Sequence, residues 1–120
     1  MKTIRTAIML STVVLTGVAG SARHIELVSS HPAADTVLTS PPTELLLTFS
    51  ADLDFPRSAV TMRSTDGASI QLGDPQTTND PRQMKLAIMD EMDAGTYTVS
   101  WVAAPKDDHG GRGRYGFEVR

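Results

Sequence analysis

The sequence predicts an all-β protein, a sandwich built from seven short strands. Three observations point that way. Apolar and polar residues alternate at a period of two, so each run has one face to bury. Turn signals rich in Gly, Pro and Asp separate the runs at short intervals. No amphipathic stretch is long enough to make a packed helix. Strands with one apolar face each must pair their faces, and a two-layer sandwich does that.

The elements follow in order. HIELVSS, residues 24–30, is a first extended run, closed by His31-Pro32. Residues 33–42 are small and polar and end in Ser40-Pro41-Pro42, the composition of a loop. TELLLTFS puts Leu45, Leu47 and Phe49 on one face and Glu44 and Thr48 on the other, while Leu46 breaks the alternation. Beyond the 52–56 segment, SAVTMRS presents Val60 and Met62 together before the turn Thr65-Asp66-Gly67. ASIQL is a short strand followed by a polar loop over 73–81. QMKLAIM is ambiguous by period, since Met84, Leu86 and Ile88 alternate while Met89 does not, and Asp93-Ala94-Gly95 is the next turn. TYTVSWVA is the clearest strand, with Tyr97, Val99, Trp101 and Ala103 facing one way. RYGFEV repeats the pattern with Tyr115, Phe117 and Val119.

Residues 1–22 read differently. Lys2 and Arg5 precede the apolar run AIMLSTVVLTGV, and Ala19, Gly20, Ser21 and Ala22 follow it. That is the three-part pattern of a secretory signal peptide, and the apolar run is shorter than the roughly 20 residues that span a bilayer. The expected organisation is therefore a signal peptide over 1–22 and one soluble exported domain over 23–120, with no membrane insertion. Without the first 22 residues the chain carries 9 basic and 14 acidic side chains, a net charge of −5 with His neutral. An acidic domain of this kind is a poor binder of nucleic acid or of an anionic membrane surface, since both need an excess of Lys and Arg.

The chain has no Cys. Disulfides, zinc–thiolate sites, iron–sulfur clusters, thiol nucleophiles and blue-copper centres are thereby excluded. Chemistry must come from His, carboxylates, hydroxyls, thioethers or backbone. Of His24, His31 and His109, two stand where no core surrounds them: His24 near the start of the expected domain, and His109 in the connection PKDDHGGRG. Asp107 precedes His109 by two positions, a spacing that lets both project to one side in extended or turn backbone. If His24 begins the mature chain, its amine and imidazole chelate together, and Asp107 with His109 completes an N/N/N/O set. Such a set suits Cu(II), which prefers nitrogen and oxygen in tetragonal geometry. Taken alone, the Asp-x-His spacing equally fits two solvated loop residues, and His24 a loose chain end. His31 at a strand end reads as structural, and Met62, Met84, Met89 and Met92 as core filler or surface.

Three blocks in order, HIELVSSHPAAD, LLLTFSADL and AGTYTVSWVAAPKDDHGGRGRYGFEV, together resemble the CopC family of periplasmic copper-binding proteins. The last block carries most of the likeness, with Gly-Thr-Tyr, then Trp, then Asp-x-His, then a closing Phe-x-Val strand. The resemblance implies a Greek-key sandwich of immunoglobulin/cupredoxin-like topology and a Cu(II) site at His24, Asp107 and His109, with Trp101 packing between the sheets. It implies a non-enzymatic periplasmic copper carrier or buffer, in resistance or uptake, which could pass copper to a membrane permease of the CopD type. Three departures stand out. Some members carry Glu beside copper after a Phe-Ser pair, whereas Phe49-Ser50 is followed by Ala51, and Asp52 falls on the opposite face if the strand continues. The Met-rich Cu(I) loop of some members has no counterpart between Val60 and Leu72. Arg23 precedes His24, so cleavage after Ala22 leaves His24 second, and cleavage after Ser21 leaves it third. A metal-free interaction module and a copper monooxygenase with an N-terminal His are the competing expectations; the latter would need an extended substrate surface.

Overall fold

Leu45, Leu47 and Phe49 leave water together, as their alternation predicts, and so do Tyr97, Val99, Trp101 and Ala103 from the longest apolar pattern. The computed structural model describes residues 24–107 and 109–120; the expected signal peptide, Arg23 and Asp108 lie outside them. Within that span the chain runs β1 (Leu27–His31), β2 (Val37–Leu38), β3 (Glu44–Phe49), a single 3₁₀ turn (Phe55–Arg57), β4 (Ala59–Ser64), β5 (Ser69–Ile70), β6 (Gln83–Ala87), β7 (Gly95–Ala103) and β8 (Gly111–Val119).

The strands form two sheets, one of order β1-β3-β6 and one of order β2-β8-β7-β4-β5. One apolar core lies between them, joining Leu45, Leu47, Phe49, Met84 and Leu86 of the smaller sheet to Met62, Tyr97, Val99, Trp101, Phe117 and Val119 of the larger. Trp101 packs as expected: its ring meets Phe49 edge-on across the two sheets, with centroids 5.2 Å apart at 69°.

Eight strands form among the described residues, not seven. The extra one is β2, which lies in the 33–42 stretch expected to be loop and pairs in parallel with β8 through Val37↔Glu118 and Leu38↔Val119. A two-residue strand buries no alternating face, so no hydrophobic period marks it. The last strand also starts earlier than its apolar pattern. Gly111–Gly113 already pairs with Trp101, Val102 and Ala103, extending the β7–β8 ladder to the rim of the sandwich.

Candidate metal centre

Three chain segments meet at that rim. The first is the lead-in to β1. Ile25 is buried, and the β1 entry is tied to the end of β3 by Glu26 N–H donating to Ser50 Oγ and Ser50 N–H to Glu26 O, both at 2.9 Å. His24, one residue earlier, is thereby held at the edge while its side chain stays exposed.

The second segment joins β7 to β8. Ala104 and Pro105 are buried, whereas Lys106, Asp107 and His109 are exposed. The buried half is firmly fixed. Asp54 N–H donates to Ala104 O at 2.8 Å, Ala104 N–H to Ser58 Oγ at 3.0 Å, and Arg57 Nη2 to Pro105 O at 2.7 Å. Arg57 is itself oriented by a 2.7 Å ion pair with Asp54. The loop therefore departs from a rigid base, and only its donor-bearing tip faces water.

The third segment follows β3. Leu53 pairs with Pro105 as an isolated bridge, which carries residues 51–54 alongside the β7–β8 connection. His24, Asp52 and Asp107 line one open cleft of about 680 Å³ together with Glu26, Ser50 and Lys106.

His109 enters by a different route. The position a Cβ would take on Gly111 lies 2.7 Å from Ile25 O, and the corresponding position on Gly110 lies 2.7 Å from Ala103 O. Only glycine permits so close an approach at both places, and at Gly111 it presses the start of β8 against the residue after His24. His24 is one residue and His109 two residues away from the contact between Ile25 and Gly111. The structure thus brings the leading segment and the loop that carries Asp107 and His109 to one rim. No three described His, Asp or Glu side chains already stand as a closed ligand group. The side chains of His24, Asp107 and His109 are exposed.

Asp52 departs from the sequence expectation. Extended alternation beyond Phe49 sends it to the opposite face, but β3 stops at Phe49 and the chain bends at Ser50 and Ala51. Strand alternation no longer governs Asp52, which turns into the cleft. The only available signal was Pro56 and the small residues at 50–51, which mark the strand's end without giving its direction. His31 closes β1 at the other end from His24 and lines none of the rim. Met62, Met84 and Met92 are buried in the core, while Met89 is 61% exposed.

The molecule is thus a β-sandwich with an exposed imidazole and exposed carboxylates lining a cleft at one open end. The CopC domain matches residues 27–120. Copper resistance protein C of Escherichia coli is 36% identical over 112 residues, covering 87% of this chain and 88% of that one. Protein YobA of E. coli K12 is 29% identical over 98 residues, covering 81% and 79%. The crystal structure of PcoC, a methionine-rich copper resistance protein from E. coli, superposes with a TM-score of 0.74 at 30% identity, covering 82% of this chain and all of that one. CopC from Methylosinus trichosporium OB3b superposes with a TM-score of 0.72 at 26% identity, covering 80% and 93%. The chain belongs to the CopC family. Proteins of this family are copper-binding resistance proteins and not enzymes.

Proposed function

We propose that this chain is a periplasmic carrier that holds one Cu(II) ion between His24, Asp107 and His109, with Asp52 as a further carboxylate within the same cleft. The observation that carries this reading is the rim itself. Ile25 packs on Gly111, and one cleft joins His24 to Asp107, so residues 83 positions apart share a surface. Imidazole and carboxylate donors match Cu(II), whereas Cu(I) favours thioethers, and three of the four methionines beyond the signal segment are buried. Copper is cargo here. An exposed, incompletely closed ligand set suits an ion that must leave again, and delivery to a CopD-type permease fits such release.

Residues 1–22 act as the export signal and 23–120 as the single domain. If processing falls after Ala22, His24 is second in the mature chain; if after Ser21, it is third. In either case the burial of Ile25 holds the backbone at His24 near the rim, and the amine is supplied one or two residues upstream. Intact mass of the exported protein identifies the first residue.

A copper titration followed by electron paramagnetic resonance tests the site. The wild-type chain should take up one Cu(II) with a tetragonal signal. His24→Ala and His109→Ala should each lower affinity on the order of 100-fold or more, and Asp52→Asn about tenfold. Unchanged stoichiometry and spectrum in both histidine variants would refute the assignment.

A further inference from the structure

The described basic side chains are unevenly disposed. Arg57, Arg82 and Arg120 are each paired with a carboxylate. Lys85 lies on the smaller sheet, and Lys106 stands in the loop beside Asp107. The other three, Arg63, Arg112 and Arg114, are exposed, form no salt bridge among the described residues, and all project from the outer face of the five-stranded sheet.

Strand register fixes their arrangement. The outward positions stack in rungs: Ala59, Val102 and Arg112 nearest the rim, then Thr61, Ser100 and Arg114, then Arg63, Thr98 and Gly116. A shallow groove of about 510 Å³ runs over the first two rungs, with Arg112 and Arg114 along β8, Ala59 and Thr61 along β4, and Ser100 and Val102 of β7 between them. The outward carboxylate of β8, Glu118, is at the far end and already engages Arg120. A second groove of about 790 Å³ continues from the same two arginines past Gly111 to His24, with Glu26 on its other side. Like charges two positions apart on one strand repel each other, and the chain over 23–120 is otherwise strongly acidic. Two guanidiniums above two hydroxyls match the fork geometry of carboxylates.

We propose that this arginine face is a docking surface for an acidic, extended segment of the protein with which the chain exchanges copper. Charge complementarity selects the occupant. A partner with net negative charge is repelled by most of this molecule and steered to the one strongly cationic strip among its described surfaces. A segment lying across Arg112 and Arg114 is led along the second groove to His24, so its carboxylates arrive beside the ion. An anionic bilayer is the poorer fit: surface binding takes clusters of about four to eight basic residues, and the acidic remainder opposes it. The purpose given to the face rests on the copper-carrier reading; the face itself does not.

The test uses the exported chain and a fluorescein-labelled decapeptide of alternating Glu and Gly, followed by anisotropy at low and near-physiological salt. Phosphatidylglycerol vesicles form a second arm, and Cu(II) uptake is measured in parallel. The peptide should bind the wild-type chain, at least tenfold more weakly at the higher salt. The double variant R112E/R114E should lose at least tenfold in affinity while retaining one Cu(II) per chain, and Lys85→Glu should stay within about twofold. If charge reversal impairs folding, judged by thermal melting, R112Q/R114Q should still show the loss. Equal peptide binding by wild-type and double variant overturns the proposal, as does binding of vesicles without binding of peptide. Arginine-dependent peptide binding by a chain that takes up no copper would leave the face standing and remove the carrier reading.

Discussion

Gly111 decides where the leading segment can lie. A methyl group there would stand 2.7 Å from Ile25 O and 3.3 Å from its Cγ2, so Gly111→Ala must push Ile25, and His24 with it, away from the Asp-x-His loop. We expect a loss of about 1–3 kcal/mol in stability, the usual range for overpacking, together with weaker Cu(II) binding. Gly73→Ala is the matched control: its added carbon would meet only ordinary contacts of 3.6–3.8 Å, and copper affinity should not change. Urea denaturation and a copper titration on the two variants read both effects. Residue identities in the core were legible in the sequence because burial follows alternation, as at Leu45, Leu47, Val99 and Phe117. Asp52 was not, since its direction depends on where β3 ends, and no side-chain pattern records a bend.

Two short connections bear on the elements that carry the site. Ser58 is buried just before β4; its Oγ donates to Asp54 O and accepts from Ala104 N–H, each at 3.0 Å. Ser58→Ala strands the buried Ala104 amide, while Asp54 O keeps its bond from Arg57 N–H, and should lower stability by about 1–3 kcal/mol by chemical denaturation. Copper affinity should fall with it, because the base of the β7–β8 loop hangs on that bond. The β4–β5 turn reports through pH instead. The Ser64 hydroxyl and then the Ala68 N–H hold the Asp66 carboxyl below its ordinary value of 3.8, and Arg82 does the same for Asp80 through its backbone N–H and then its side chain. A carboxyl depressed in the folded state adds stability above its unfolded value and loses it as pH falls through the folded one. The stability gap between wild type and Asp66→Asn should therefore stay constant from neutral pH down to about pH 5 and close below about pH 4. A gap independent of pH would remove this role from Asp66. At this scale the turn was readable from Thr65-Asp66-Gly67, where Gly67 adopts φ +92°. β2 and the glycine-rich start of β8 were not, because backbone pairing makes those strands and apolar period does not.

The two halves of the rim belong to different sheets. His24 leads into β1 of the three-stranded sheet, whereas Asp107 and His109 lie between β7 and β8 of the five-stranded one. An ion bound by both ties the layers together at their open end, and it does so only in the folded chain, since these donors are remote in sequence. Binding to the native state alone must raise stability, by about 2.7 kcal/mol when free copper is 100 times the dissociation constant. For a domain of this size that corresponds to a rise of about 10–20 °C in melting temperature. The gain should be accompanied by slower amide exchange in β1, the edge strand that His24 anchors, with β4 and β5 on the far side of the larger sheet little affected. His24→Ala should abolish most of the thermal gain while leaving the copper-free melting temperature nearly unchanged, because the exposed imidazole contributes little to the core. Copper-loaded and chelator-stripped chains that melt together would show that no ion bridges the sheets, and would favour the metal-free interaction module instead.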